Sequence, residues 1–311
     1  MHNYKIGFAC QVGSVVKDTF KQLPDTTIGT VTVSGIIKLS DSAQYDKLVS
    51  KVKQNLRALS LQIAYVSKLP QHLRMFRISS NLLPLVDHPE LGQLYDAQLW
   101  QLIEYNLGNI RQTIQQHNIR ISLHPSQYTV LNSESNQTIT NSIRTLNFQY
   151  KILELLGKPA DSVINIHFNG RLDTLPVNEI SDFKQYLSLE NDEKTGNLDR
   201  VLKACQQHNV RYVLDLHHYF CNTGSYLGVN DYRLDSIIET WDGIRPKLHL
   251  SQARDLLGSK RDIWAHSDTI TDKELVKYTA QFLDRFDVMI EAKNKNLASV
   301  DFYNLLSEIK S

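Results

Sequence analysis

The chain has 311 residues, 41% hydrophobic and 22% charged, with a formal net charge of +1. That composition fits a folded globular chain with a full core and excludes a disordered one, while a near-zero charge neither advertises nor excludes nucleic-acid binding, because an acidic centre can balance a basic rim. No apolar run approaches the ~18 residues of a bilayer span, and Cys10, Cys205 and Cys221 lack the spacing of a thiolate zinc site or a disulfide framework.

In chain order, Met1-His2-Asn3 has no signal-peptide layout and runs into a strand at Tyr4 to Ala9, so a cytoplasmic protein is expected. Asp41 to Leu59 has helical periodicity, with Asp41 as N-cap. Met75 to Ser79 is a strand, Asp96 to His117 a helix, and Arg120 to His124 a strand. Ile139 to Leu156 is a helix stopped by Gly157 and Pro159, followed by strands at Val163 to His167 and Leu187 to Glu190. Asn197 to His208 and Leu234 to Trp241 are helices around a strand at Tyr212 to Asp215. Lys247 to Leu250 is a strand, Asp272 to Phe286 a helix, Asp287 to Glu291 the last strand, and Val300 to Ile309 the closing helix. Eight strands alternating with helices, and no linker, predict one TIM (β/α)8 barrel domain over residues 1–311. Gln-Gln-His-Asn occurs twice before a strand, at 115–118 and 206–209, and predicts a left-handed Asn cap in both places. His117 and His208 then lie at the barrel end away from the strand C-termini.

Active sites of such barrels lie at the C-terminal ends of the strands. His88, His124, His167, Glu190, Asp215, His218, His249, His266 and Glu291 all fall at or just beyond such ends. A lone strand-end histidine is more often a satisfied polar group than a ligand, but buried carboxylates need cations, and the series converges on one place. Nitrogen and oxygen donors without thiolates suit Zn²⁺, Mn²⁺ or Fe²⁺. One ion needs about four to six ligands, so this set points to two or three ions. Strand alternation puts Asp215 and His217 on one face, which favours His217 over His218 unless the chain turns there. Lys247 shares a face with His249; it is expected to be neutral, paired with Glu190 or Glu291, or converted to a carbamate ligand. Gln127 and Tyr128 follow His124 on a loop at the same face, where an exposed aromatic is costly without a use. Arg77, Arg171, Arg254, Lys260 and Arg261 are candidates for a phosphate-binding groove, and Lys293 and Lys295 for the rim beside Glu291.

Ile6-Gly7-Phe8-Ala9-Cys10, Phe76-Arg77-Ile78-Ser79-Ser80, Leu123-His124-Pro125-Ser126-Gln127-Tyr128, Leu189-Glu190-Asn191-Asp192, Asp215-Leu216-His217-His218, His249-Leu250-Ser251, His266-Ser267-Asp268 and Asp287 through Lys293 stand in an informative order. In these blocks the chain resembles the UV damage endonuclease family, one of the metal-dependent TIM-barrel nucleases that include the endonuclease IV type. The resemblance implies metal ligands at His88, His124, Glu190, Asp215, His218, His249, His266 and Glu291, with His167 a further site histidine, and so favours His218 over His217. It implies a DNA-probing pair at Gln127 and Tyr128. A family aromatic falls on Phe8, which keeps the ring for stacking and lacks a hydroxyl.

The implied activity is cleavage of damaged double-stranded DNA on the 5′ side of cyclobutane dimers and 6-4 photoproducts, and at abasic sites. It would leave a 3′-hydroxyl and a 5′-phosphate. Glu190 and Glu291 would bridge the ions; Mn²⁺ is the expected metal, with Zn²⁺ or Mg²⁺ as alternatives. Lys247 and His167 complete the expected catalytic set, in a monomer that needs no protein partner or membrane. The competing functions are an abasic-site endonuclease, a divalent-metal sugar isomerase or epimerase, and a non-catalytic damage binder.

Overall fold

The computed structural model describes residues 3–17 and 19–310; Met1 and His2, which entered the targeting expectation, lie outside the described residues. Strand β1 (Ile6–Ala9) is followed by an antiparallel hairpin of β2 (Gly13–Val16) and β3 (Thr19–Gln22). Then come β4 (Met75–Ile78), β5 (Arg120–Leu123), β6 (Val163–His167), β7 (Leu187–Glu190), β8 (Arg211–Asp215), β9 (Lys247–Leu250) and β10 (Asp287–Ile290). Apart from the hairpin the strands are parallel and close in the order β1-β10-β9-β8-β7-β6-β5-β4, with β4 pairing back onto β1. This is the expected TIM barrel, strand for strand.

The helices are α1 (Val33–Ile36), α2 (Asp41–Ser67), α3 (Ala97–Gln116), α4 (Asn136–Leu155), α5 (Leu198–His208), α6 (Leu216–Thr223), α7 (Arg233–Glu239), α8 (Lys260–Trp264), α9 (Lys273–Ala280) and α10 (Lys295–Lys310). Only a single 3₁₀ turn, Lys184–Tyr186, stands just ahead of β7. No helix among the described residues is long and apolar enough to cross a membrane.

The side chains divide by strand alternation. Ile121, Leu123, Ile164, Ile166, Leu187, Leu189, Leu248, Leu250, Val288 and Ile290 belong to the main apolar core with the helices. Their alternates Ser122, Asn165, Ser188, Glu190, Lys247 and His249 are buried and polar, and several bond to one another inside the barrel. At the opposite end Val163 and Val213 pack on Trp241. Asp287 there accepts from the Lys5 amide at 2.7 Å, Arg120 at 2.6 Å and Arg245 at 2.9 Å. A Cβ on Gly7 would lie 2.5 Å from the Met75 carbonyl oxygen, which leaves room only for glycine where β1 meets β4.

Several boundaries differ from expectation for local reasons. Ser40, not Asp41, is the N-cap of α2. That helix continues past Leu59 because Gln62, Ile63 and Val66 keep its buried face going; Gln62 breaks the apolar pattern but donates to the carbonyls of Cys10 at 3.0 Å and Thr26 at 2.8 Å. The expected helix to Phe286 ends at Ala280, where Phe282 and Leu283 switch to bonds with residues three back. Both Asn caps are left-handed, Asn118 at φ 49° and Asn209 at φ 57°. The β2–β3 hairpin, absent from the expected elements, follows β1 as a separate two-stranded sheet.

Candidate metal centre

Glu190, at the end of β7, is the point on which the strand-end groups converge. Its carboxylate lies 3.4 Å from His124 Nε2, 3.0 Å from His249 Nδ1 and 3.6 Å from His218 Nδ1. Asn165 Nδ2 donates to its Oε2, the oxygen that also faces His124, and is itself fixed by Ser188 Oγ, which donates to Asn165 Oδ1 at 2.7 Å. Burial alone would raise the Glu190 carboxyl, but the neighbouring His249 and His167 and its bonds to His124 and His249 hold it well below the usual carboxylate range. His167 stands beside Glu190 in register, with its ring 5.1 Å from that of His124 and 5.6 Å from that of His218. Burial lowers its pKa.

Asp215 ends β8 and is also the N-cap of α6, where its side chain accepts from the His218 amide at 2.7 Å. The strand therefore turns into a helix before its alternation reaches His217. Positions three apart on a helix share a face, and His218 lies 3.6 Å from Asp215 Oδ2. His218 Nδ1 is also 2.9 Å from the Asn191 carbonyl, and its Nε2 lies 3.9 Å from Glu193. His217 turns away: its ring meets His266 edge-on at 5.6 Å and its Nε2 lies 3.6 Å from Cys221 Sγ. The structure thus brings His218, not His217, beside Asp215 and Glu190, the arrangement the Asp-x-x-His pattern implies. Asp215 is pushed up, chiefly by burial and then by Glu190 and Glu291 against the pull of His218. His218 is lowered by burial but raised overall by Asp215, Glu190 and Glu193.

Glu291 follows β10 and forms a partly buried ion pair with Arg77. Despite burial, Arg77 and His249 hold its carboxyl far below the ordinary value. Arg77, a candidate for phosphate contact, is engaged by Glu291 and stays partly exposed at the mouth. Lys247, 1% exposed, makes no hydrogen bond through Nζ and pairs with neither Glu190 nor Glu291. Burial, reinforced by Arg120 and Arg77, lowers its pKa to about 7. The salt-bridge alternative for Lys247 is therefore set aside, and the neutral amine and the carbamate stay.

Three sets of donor atoms each lie within 4.8 Å of one another: His124, His167 and Glu190; Glu190, Asp215 and His218; Asp215, His249 and Glu291. They form a chain through the shared carboxylates. Asp215 Oδ2, His249 Nε2 and His167 Nδ1 are buried without hydrogen bonds. Buried carboxylates with orphaned donor atoms and one guanidinium among them fit divalent cations held by nitrogen and oxygen. His88 and His266 join none of these sets. His88 Nδ1 instead lies 3.3 Å and 3.2 Å from the amides of Glu90 and Leu91. His266 lies near enough to Glu291 to lower its pKa.

Gln127 and Tyr128 are exposed at the same mouth, Tyr128 at 79%. Phe8 is corrected: it is fully buried, edge-to-face on Phe76 at 5.3 Å, with no surface to offer DNA. Lys293 is on the rim, paired with Asp268 at 3.1 Å, while Lys295 is half-buried. Arg171 pairs with Glu134 at 3.2 Å and Arg254 with Asp262; Lys260 and Arg261 are exposed at the start of α8. Sequence reasoning missed Asn165, Ser188 and Asn191. Asn191 accepts from the Asp215 amide and donates to its carbonyl, both at 2.9 Å. The signal was present: polar residues on the inward positions of otherwise aliphatic strands.

A family model described as UV-endonuclease UvdE matches residues 4–311. A "UV DNA damage endonuclease" of Bacillus thuringiensis subsp. konkukian (strain 97-27) is 33% identical over 304 residues, covering 90% of each chain. One from Bacillus anthracis is 33% identical over 308 residues, again covering 90% of each. The solved structure described as "Crystal Structure of SacUVDE" superposes with a TM-score of 0.75 over 99% of both chains at 24% identity, a likeness of fold.

Proposed function

The chain belongs to the UV-endonuclease UvdE family of DNA repair endonucleases, and from that premise we propose that it nicks duplex DNA immediately 5′ of cyclobutane dimers and 6-4 photoproducts, and at abasic sites. The observation that carries this reading is the chain of three donor sets at the barrel mouth, joined through Glu190 and Asp215. Glu190, Asp215, Glu291, His124, His167, His218 and His249 would hold two or three divalent ions, Mn²⁺ first, with His88 and His266 supplying donors from the loops. Bound divalent ions would acidify a water and stabilise charge on the phosphodiester oxygens.

The protein's own groups prepare that chemistry. Asn165 and Ser188 fix Glu190, and Arg77 fixes Glu291. Asn191 aligns both Asp215 and His218. Lys247, uncharged or as a carbamate, adds a donor without adding a cation; a native mass greater than the sequence mass by one CO₂ identifies the carbamate. Gln127 and Tyr128 fill the gap beside a damaged, poorly stacked dinucleotide, and Lys293 meets phosphate at the rim. Water adds to phosphorus as the bond to the 3′ oxygen breaks, giving a 3′-hydroxyl and a 5′-phosphate. The enzyme acts as a cytoplasmic monomer on the chromosome.

A Mn²⁺-supplemented nicking assay on end-labelled UV-irradiated, abasic and undamaged duplexes tests this. Cuts confined to damaged DNA, with ends that a polymerase extends, are expected. Equal nicking of undamaged duplex, or none of any, counts against it. Gln127→Ala with Tyr128→Ala should weaken photoproduct binding while metal content stays unchanged.

A further inference from the structure

The loop after β9 carries an unpartnered apolar tip. Leu257 is 98% exposed and Leu256 45%. The base of the loop is tightly fastened. Ala253 pairs with His266 in an isolated antiparallel bridge, and the Arg254 amide donates to the Ala265 carbonyl at 2.7 Å. Ser259 and Asp262 form a reciprocal capping box at α8, and Asp255 Oδ1 accepts from the Leu257 amide at 2.9 Å. Scattered exposed leucines are ordinary. Two in succession, at the tip of a fastened loop beside a catalytic mouth, call for an occupant.

Position and charge say which. In the closed ring three strands separate β9 from β5 in either direction. The Leu256–Leu257 tip, after β9, therefore stands across the mouth from Tyr128, which follows β5. Lys260 and Arg261 follow the tip by three and four residues and are exposed, with Lys260 4.5 Å from the Trp264 ring, while Arg254 is held by Asp262 and Asp255 turns onto the Leu257 amide. A polyanion with an apolar, stacked interior fits an apolar point with two exposed cations next to it, and inserted aliphatic side chains unstack and kink duplex steps.

We propose that Leu256 and Leu257 form a second wedge, which enters the damaged duplex from the side opposite Tyr128 and holds the unstacked step open. This rests on the proposed endonuclease function and deepens it. Two wedges facing across the mouth would respond to the flexibility of a step, and so accept chemically unlike lesions.

The test compares wild type, Leu256→Ser with Leu257→Ser, and Leu256→Met with Leu257→Met, in the metal-loaded full chain. The probe is a duplex bearing one cyclobutane dimer, with 2-aminopurine opposite the step beside it. Wild type should raise the fluorescence on binding. The serine variant should lose that rise and show KM higher by about 10-fold, equivalent to about 1.4 kcal/mol, with kcat and metal content retained; the methionine variant should restore both. An unchanged KM or an unchanged fluorescence rise in the serine variant overturns the proposal. If wild type itself fails to nick the duplex, the endonuclease reading fails, and the wedge with it.

Discussion

Asn165 illustrates how one uncharged residue controls a charged site. Its amide reaches Glu190 from inside the barrel, where Ser188 fixes its other end. Asn165→Leu keeps the branched shape and removes both the donor to Glu190 and the acceptor for Ser188, so metal affinity should fall by ~10–100-fold, read by titration of metal-free protein; unaltered affinity would show Glu190 to be oriented without it. Asp215 and His218 give a pH signature. Both have folded values above their ordinary ones, at about 8 and about 9. The stability each contributes is fully present below its unfolded value and is lost as pH rises through the folded one. Metal-free protein should therefore have a lower Tm at pH of about 9 than at about 6, and apparent metal affinity should climb over the same window as those protons leave. Calorimetry with and without Mn²⁺ checks both, and a metal-free Tm that rises over that window contradicts the assignment. Residue identities at the site were legible because donor residues ended apolar runs. Orientations were not: the turn at Asp215 sets which of His217 and His218 faces the carboxylates, and packing on Phe76 sets the place of Phe8.

Elements were legible where one side of the chain faces the helices. The aliphatic alternates of β5, β6, β7 and β9 marked those strands even though their other faces are polar. The β2–β3 hairpin was not, since its Val15 and Val16 are exposed and no buried face imposes a period. Caps were partly legible. Asp96 ends the expected helix start as N-cap of α3, accepting from the Leu99 amide at 2.8 Å, and also accepts from Tyr45 Oη at 3.0 Å, tying α2 to α3. Asp96→Ala should cost about 1 kcal/mol in denaturant unfolding and leave metal content unchanged; a loss of bound metal would mean that α3 supports the site more directly than its position implies.

At the scale of the molecule, the barrel separates stability from chemistry. Its outer faces build the apolar core with the helices, Asp287 and its cationic partners close one end, and the other collects the carboxylates and imidazoles. Phosphate contacts at that end should make DNA binding fall steeply with salt. The most direct measurement titrates Mn²⁺ into metal-free protein, counting bound ions and scoring nicks in UV-irradiated duplex in the same samples. More than one ion per chain, with nicking absent from the metal-free protein and restored as the ions load, is the expected result. Full nicking by protein that holds no ion, or saturation of the site at a single ion, would contradict it.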